Sequence, residues 1–318
     1  MKREEIREQI VGPIATVPTP FDDRFRLDLG RMTEAVERWV EGGLLRGMSV
    51  IKVAAAMGEG PQLTEAEWAA VLKTAVDAAK GRVPIMGAVH YKDTVRTVDD
   101  ARRASEAGVI GLQVSPPIFN QPSETDVLRY FGGVSDGIDI GVMIYNTPWL
   151  PHGAIYPATF GKMRDMEYIV AIKWSPPDGV GYDEVFEFAD HFSIIDNSSS
   201  PVECYKLGGR GYLGDGISAY PSYYLGVWDL ITSGKYDQAQ AEWDRVTVPL
   251  REIYARVVER SGSDAKMEKA LCELMGLPMG PPRPPSIALD AAEMAELRNL
   301  MAGWGWPVTA PSGSAAAG

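Results

Sequence analysis

Cysteine is nearly absent from the chain. Cys204 and Cys272 are the only two in 318 residues, too few for a disulfide framework and without the paired spacing of a zinc site. Histidine is almost as scarce, and His90, His152 and His191 show no metal-ligand spacing. No apolar run is long enough to span a bilayer. The charged opening MKREEIREQI lacks the apolar stretch of a secretory signal. Positive charge is in deficit, with 31 Lys and Arg against 43 Asp and Glu, a net of −12. That balance speaks against nucleic acid and anionic membrane as partners. The expectation is a cytoplasmic enzyme or binding protein without a metal, whose chemistry comes from side chains or an organic cofactor.

What is present is ordinary globular material. Hydrophobic residues make up 45% and charged residues 23%, which excludes disorder, a coiled coil and a collagen-like rod. Eight short apolar runs recur, at 14–17, 48–55, 83–89, 109–114, 140–145, 168–174, 192–195 and 211–213. Amphipathic stretches lie between them, including 28–40, 65–79, 97–107 and 124–131. Buried runs alternating with amphipathic helices predict parallel βα units. Their spacing is close to the ~30 residues of one such unit. Eight units make a (β/α)8 TIM barrel of about 250 residues, an α/β fold spanning 1–233. Helical patterns at 236–258, 264–274 and 291–304 predict a C-terminal helical extension over 234–306. The small, polar tail 307–318 reads as disordered. A doubly wound open sheet is the rival architecture, but no strand is followed by a G-x-G-x-x-G turn.

In a barrel, chemistry sits at the C-terminal ends of the strands. Strand 6 ends in Ile172-Lys173-Trp174 and strand 5 in Ile144-Tyr145-Asn146. Lys173 and Tyr145 are one repeat apart, so they occupy equivalent positions on adjacent strands. Burying an ammonium is costly, so a lysine held there loses its proton and becomes a nucleophile. A neutral amine attacks a ketone to form a Schiff base, and a neighbouring phenol can relay the protons. The alternative is a lysine that reaches past the strand end into solvent. Lys52 is a rival amine; it is set deeper in strand 2, which favours a structural role.

These residues carry a resemblance. Over roughly 12–303 the sequence resembles the dihydrodipicolinate synthase / N-acetylneuraminate lyase family of class I aldolases. Its elements stand in order: Val17-Pro18-Thr19-Pro20-Phe21, Met57-Gly58-Glu59-Gly60-Pro61, Ser115-Pro116-Pro117, Tyr145-Asn146-Thr147-Pro148, Ile172-Lys173 and Leu207-Gly208-Gly209-Arg210-Gly211. The resemblance implies a lyase that needs no cofactor. Lys173 would form an imine with a 2-oxo acid, pyruvate foremost, and Tyr145 would relay protons. The loop at Ala56, Met57 and Gly58 would hold the carboxylate. An aldehyde would be the second small-molecule partner, and the assembly a homotetramer or homodimer.

The departures bear on substrate. The family's Gly-Thr-Thr-Gly-Glu is here Ala55-Ala56-Met57-Gly58-Glu59, which removes two hydroxyl donors at about 0.5–1.5 kcal/mol each. Lysine-pathway synthases carry tyrosines after strand 4 and an arginine after strand 5. Here the stretches read Pro117-Ile118-Phe119-Asn120 and Trp149-Leu150-Pro151-His152, which speaks against that pathway. Met57, Ile118, Phe119, Trp149 and Trp174 instead predict an apolar or aromatic aldehyde. Met57 and Trp174 are also similar to the hydratase-aldolase branch, which acts through the same imine. Asp196 to Ser199, Asp215 and Ser218 fall at the rim, as substrate contacts or helix caps. Glu59 reads as structural, and His152 as a loop residue that can stand in for the arginine. A barrel that has lost catalysis and only binds a ligand is the third reading.

Overall fold

The computed structural model describes residues 1–262 and 264–309. Eight strands close into one parallel barrel in sequence order. They are β1 (Gly12–Thr16), β2 (Val50–Lys52), β3 (Ile85–Val89), β4 (Gly111–Val114), β5 (Gly141–Tyr145), β6 (Ile169–Trp174), β7 (Ser193–Asp196) and β8 (Gly211–Tyr212). Closure runs through Gly12 opposite Gly211 and Pro13 opposite Tyr212. Every expected run contributes a strand. The second is shorter than its apolar run because the chain turns at Ala54, whose φ of 53° ends the extended backbone.

The helices are α1 (Arg3–Gln9), α2 (Leu29–Glu41), α3 (Glu65–Ala79), α4 (Thr94–Ala107), α5 (Glu124–Asp136), α6 (Pro157–Gly161), α7 (Pro201–Lys206), α8 (Pro221–Thr232), α9 (Tyr236–Arg260), α10 (Ala265–Leu274) and α11 (Ala291–Gly303). Their starts are written in local chemistry. Asp28 and Asp93 accept the N3 amides of α2 and α4. Thr64 with Glu67, and Ser123 with Asp126, form capping boxes for α3 and α5, each worth about 1 kcal/mol.

Two apolar layers hold the barrel. The outer one packs helices on strands through residues such as Trp39, Leu72, Phe131, Phe160 and Trp243. The inner one fills the barrel with Ile14, Val50, Met86, Met143, Val170 and Ile195, and continues into Ile6 of α1 and Ile10 at its C-cap. Helix α1, absent from the sequence reading, plugs the N-terminal end of the barrel. Arg3 ties it to the carbonyl of Ile169 at 2.7 Å and Arg7 to that of Ala189 at 2.5 Å.

After α8 the chain folds back as α9. Trp243 of α9 meets Tyr212 of β8 edge to face, with centroids 5.0 Å apart. The extension therefore lies against the barrel near its C-terminal rim. Of the tail expected to be disordered, 310–318 lies outside the described residues. Among the described residues no helix is long and apolar enough to cross a membrane.

Candidate active site

A cavity of about 300 Å³ opens among the C-terminal strand ends. Tyr145 and Lys173 are register partners on β5 and β6, and both line it. The Lys173 Nζ lies 3.7 Å from the centroid of the Tyr145 ring, on the electron-rich face. Both side chains are held by strands rather than loops, so their geometry is rigid. Burial pulls the Lys173 amine down to about 7, against smaller opposing effects of Asp264 and Asp215. At neutral pH much of it is a free amine. Burial, with Asp264 and Tyr91, pushes the Tyr145 phenol well above its ordinary value. It stays protonated and can donate.

Lys52, whose depth in strand 2 favours a structural role, lines the same cavity. It is buried, and its Nζ donates to Gln113 Oε1 at 2.6 Å. Burial, then the proximity of Lys173, drives its pKa well below the usual lysine value. Thr16, its register partner on β1, also lines the cavity, and its Oγ1 is buried without a hydrogen-bond partner.

The rim loop after β2 behaves differently along its length. Ala56 and Met57 line the cavity. Gly58 does not; it is pressed against the chain, its carbonyl accepting from Thr19 Oγ1 at 2.6 Å. The next glycine is obligatory, since a Cβ on Gly60 would stand 1.8 Å from the Ala54 oxygen. Glu59 points into the protein and pairs with Lys269 of α10 at 2.6 Å while accepting the Arg283 amide at 2.7 Å. The structural reading of Glu59 accords with this placement.

The loop after β5 brings Trp149 over the site. Its ring meets Tyr145 edge-on at 5.9 Å and lines the cavity. Asn146 clamps the loop, donating to the Ser175 carbonyl at 2.9 Å and accepting the Ile155 amide at 2.7 Å. His152 lies on the exposed part of that loop and does not line the cavity. Beyond β7, Asn197 and Ser199 reach the cavity, whereas Asp196, the register partner of Trp174, turns away from it to bind Tyr182 and the amides of Ser198 and Ser200. Asp215, after β8, lines the cavity, and burial with Asp264 pushes its carboxyl up to about 6.

Besides Gly58, three more expected contacts lie elsewhere. Neighbours on a strand face opposite sides, so with Lys173 inward Trp174 faces the helices. It packs on Phe160 and donates to the Tyr182 carbonyl at 3.0 Å. Ser218 is captured beneath the rim by Glu268 and Cys272 of α10. Phe119 sits on a single 3-10 turn (Ile118–Asn120) that carries it outward, 90% exposed. None of the three lines the cavity.

The extension supplies what the sequence reading missed. Trp243, Thr247, Leu250, Arg251 and Tyr254 of α9, with Asp264 before α10, form one wall. Tyr254 donates to Asp264. Arg251 and Asp264 place both signs of charge opposite the lysines. Helical periodicity alone marks α9 as amphipathic, not as a wall of the barrel mouth. Among the described residues no group of three or more His, Cys, Asp or Glu is placed to hold a metal.

This architecture has relatives. The model of the Dihydrodipicolinate synthetase family matches residues 9–303. The 4-hydroxy-tetrahydrodipicolinate synthase of Heliobacterium modesticaldum is 29% identical over 300 residues, covering 92% of this chain and 95% of that protein. That of Acidothermus cellulolyticus is 28% identical, covering 92% of each. Among solved structures, YagE of E. coli, a prophage protein of the dihydrodipicolinic acid synthase family in complex with pyruvate, superposes with a TM-score of 0.82. It shares 23% identity, over 93% of this chain and 98% of that one. The match runs from the last residue of α1 to the last residue of α11, and so spans both walls of the cavity. With that coverage, the chain belongs to the dihydrodipicolinate synthetase family.

Proposed function

We propose that this protein is a Schiff-base lyase that makes or breaks a carbon–carbon bond between a 2-oxo acid, pyruvate foremost, and an aldehyde. The observation that carries this is the Lys173 amine, buried, drawn down to about 7 and set against Tyr145 at the strand ends. Its free electron pair attacks the keto carbon, and Tyr145 protonates the departing oxygen. Loss of water leaves the protonated imine, which withdraws electrons from the adjacent carbon. That carbon loses a proton to become an enamine and attacks the aldehyde. In reverse, the same enamine is the product of cleavage. Hydrolysis of the imine then restores the amine.

The family's relay threonine is absent, since Ala56 and Met57 stand in the loop. Asp215 is proposed in its place as the group that accepts and returns protons; a carboxyl near pH 6 is suited to that exchange. Trp149, Met57, Leu250 and Trp243 line the cavity, which favours an aldehyde with an apolar or aromatic body. Arg251 offers a contact for a polar end. The arginine that lysine-pathway synthases carry after the Tyr-Asn-x-Pro motif has no counterpart in 149–152, and we place this protein outside that pathway.

Hydration of an unsaturated 2-oxo acid through the same imine is the second reading, favoured by Met57 in the loop. Product analysis tests both. With pyruvate and an aromatic aldehyde, the account expects an aldol adduct from the wild type and none from Lys173→Ala. A dehydrated arylidene product would favour the second reading. Equal turnover by the two proteins would refute both. The 2-oxo acid and aldehyde are proposed as the only small-molecule partners, with a homo-oligomer as the working assembly.

A further inference from the structure

Tyr145 and Lys173 lie within β5 and β6, whose ladder fixes where their side chains stand. Asp215 has no such support. It stands three residues past Tyr212, where β8 ends, between Gly214 and Gly216. Glycines on both sides leave the backbone free to turn, and Gly216 has a φ of 88°. The Asp215 carboxyl is not tethered either. Burial and the charges of Asp264, Arg251 and Lys173 act on it, and none of these is a hydrogen bond. Where that carboxyl sits is therefore set by whatever holds the backbone around it.

The hold comes from α10. Glu268 is 1% exposed. One of its carboxylate oxygens accepts the Gly216 amide at 2.9 Å, and the other accepts the Ser218 hydroxyl. A carboxyl taken so far out of water needs its acceptors filled, and residues beside Asp215 fill them. Within the turn, the Gly216 carbonyl accepts the amides of Ala219 and Tyr220 at 3.0 Å, and Tyr224 donates to the Asp215 carbonyl. These bonds stiffen the turn, and Glu268 ties it to the helix whose N-cap residue, Asp264, lines the same cavity. Accepting Asp215 as the proton acceptor of a Schiff-base lyase, we infer that Glu268 is its positioning residue, holding the turn 214–218 so that the Asp215 carboxyl stays in the cavity with Lys173. Glu268 itself does not line that cavity. Its shape matters more than its charge. A glutamine there still accepts from Gly216 and donates to the Ser218 hydroxyl, which can reverse its role; a methionine does neither.

Two readouts on the full chain test this. Competitive acetylation with peptide mapping titrates Lys173 with no substrate present, and turnover of pyruvate with benzaldehyde gives kcat. Asp215 opposes the fall of the Lys173 midpoint, so displacing it lowers that midpoint. Glu268→Met is expected to lower the midpoint as Asp215→Asn does, and to reduce kcat about tenfold to a hundredfold, with KM for pyruvate close to wild type. Glu268→Gln is expected to match the wild type in both readouts. Adding Glu268→Met to Asp215→Asn is expected to change neither readout further. A midpoint that rises in Glu268→Met would mean that water has entered a loosened site, and it overturns the inference. So does a Glu268→Gln variant as impaired as Glu268→Met, or full additivity in the double variant. Ser218→Ala, which removes one of the two holds, is expected to lower the midpoint and decides the matter if Glu268→Met does not fold. The lyase reading fails separately. No aldol product from the wild type, or full kcat in Asp215→Asn, removes the lyase or its proton acceptor, while a lowered midpoint in Glu268→Met leaves the positioning of Asp215 standing.

Discussion

The Lys173 Nζ lies over the face of Tyr145, 3.7 Å from the ring centroid. The ring therefore forms part of the wall that keeps water from the amine, and the hydroxyl is a separate device. Tyr145→Phe keeps the wall and removes the proton relay. Its kcat is expected to fall about 10²–10⁴-fold with pyruvate affinity close to wild type. A matching loss of affinity would assign Tyr145 to binding instead. Steady-state and stopped-flow kinetics separate the two.

Asp215 acts on the same amine through its charge. Burial lowers the Lys173 pKa to about 7, and the Asp264 and Asp215 carboxylates oppose that shift. The reactive form is the free amine, so adduct formation rises with pH through about 7. Removing one opposing charge in Asp215→Asn moves that midpoint to lower pH. The same change slows turnover, because the proton acceptor is gone. A pH profile of single-turnover trapping checks the first effect and kcat the second; a midpoint shifted upward would contradict the electrostatics.

Glu59 and Lys269 tie the rim loop to α10, at 2.6 Å with both side chains buried. Removing one partner strands a buried charge, which costs about 3–5 kcal/mol. Glu59→Gln and Lys269→Met are each expected to lower stability by that order. The double variant should lose less than the sum, since neither charge is then left alone. Urea denaturation measures all three, and strict additivity would show that the pair is not coupled.

Arg283 grips Glu67 of α3, and that contact holds the Glu67 carboxyl at about 2, well below its ordinary 4.5. The folded state thus binds this proton less readily than the unfolded chain. The contribution is present above pH 4.5 and is lost as pH falls toward 2. Glu67→Gln should flatten the acid limb of the stability profile over that interval. An unchanged limb would mean that the contact adds nothing to folding.

Phe119 is 90% exposed in the single chain, and a solvated aromatic of that kind marks a contact surface when it belongs to a patch. With a homo-oligomer proposed, Phe119→Asp is expected to shift the protein toward smaller species in light scattering. A wild type that runs as a monomer would remove the oligomer from the account.

The barrel was legible because each strand is a compact apolar run, and Tyr145 and Lys173 because one repeat separates two strand ends. Trp174 was misplaced although period-2 alternation already sets it opposite Lys173. Depth along its strand sets Lys52 back from the rim, whereas its inward direction decides that it meets the cavity. The partners that hold Ser218 and Glu59, namely Glu268 and Lys269, lie on α10 and leave no trace in the local pattern. Arg251, Tyr254 and Asp264 were invisible for the same reason. Which face of α9 closes the barrel mouth is set by Trp243 against Tyr212, a contact that local sequence pattern does not reveal.

The most direct test is borohydride reduction in the presence of pyruvate, followed by intact mass and peptide mapping. Two buried amines, Lys52 and Lys173, share the cavity, so the map discriminates between them. The account predicts one reduced pyruvyl adduct per chain on Lys173, absent from Lys173→Ala. No adduct, or an adduct on Lys52, would contradict it.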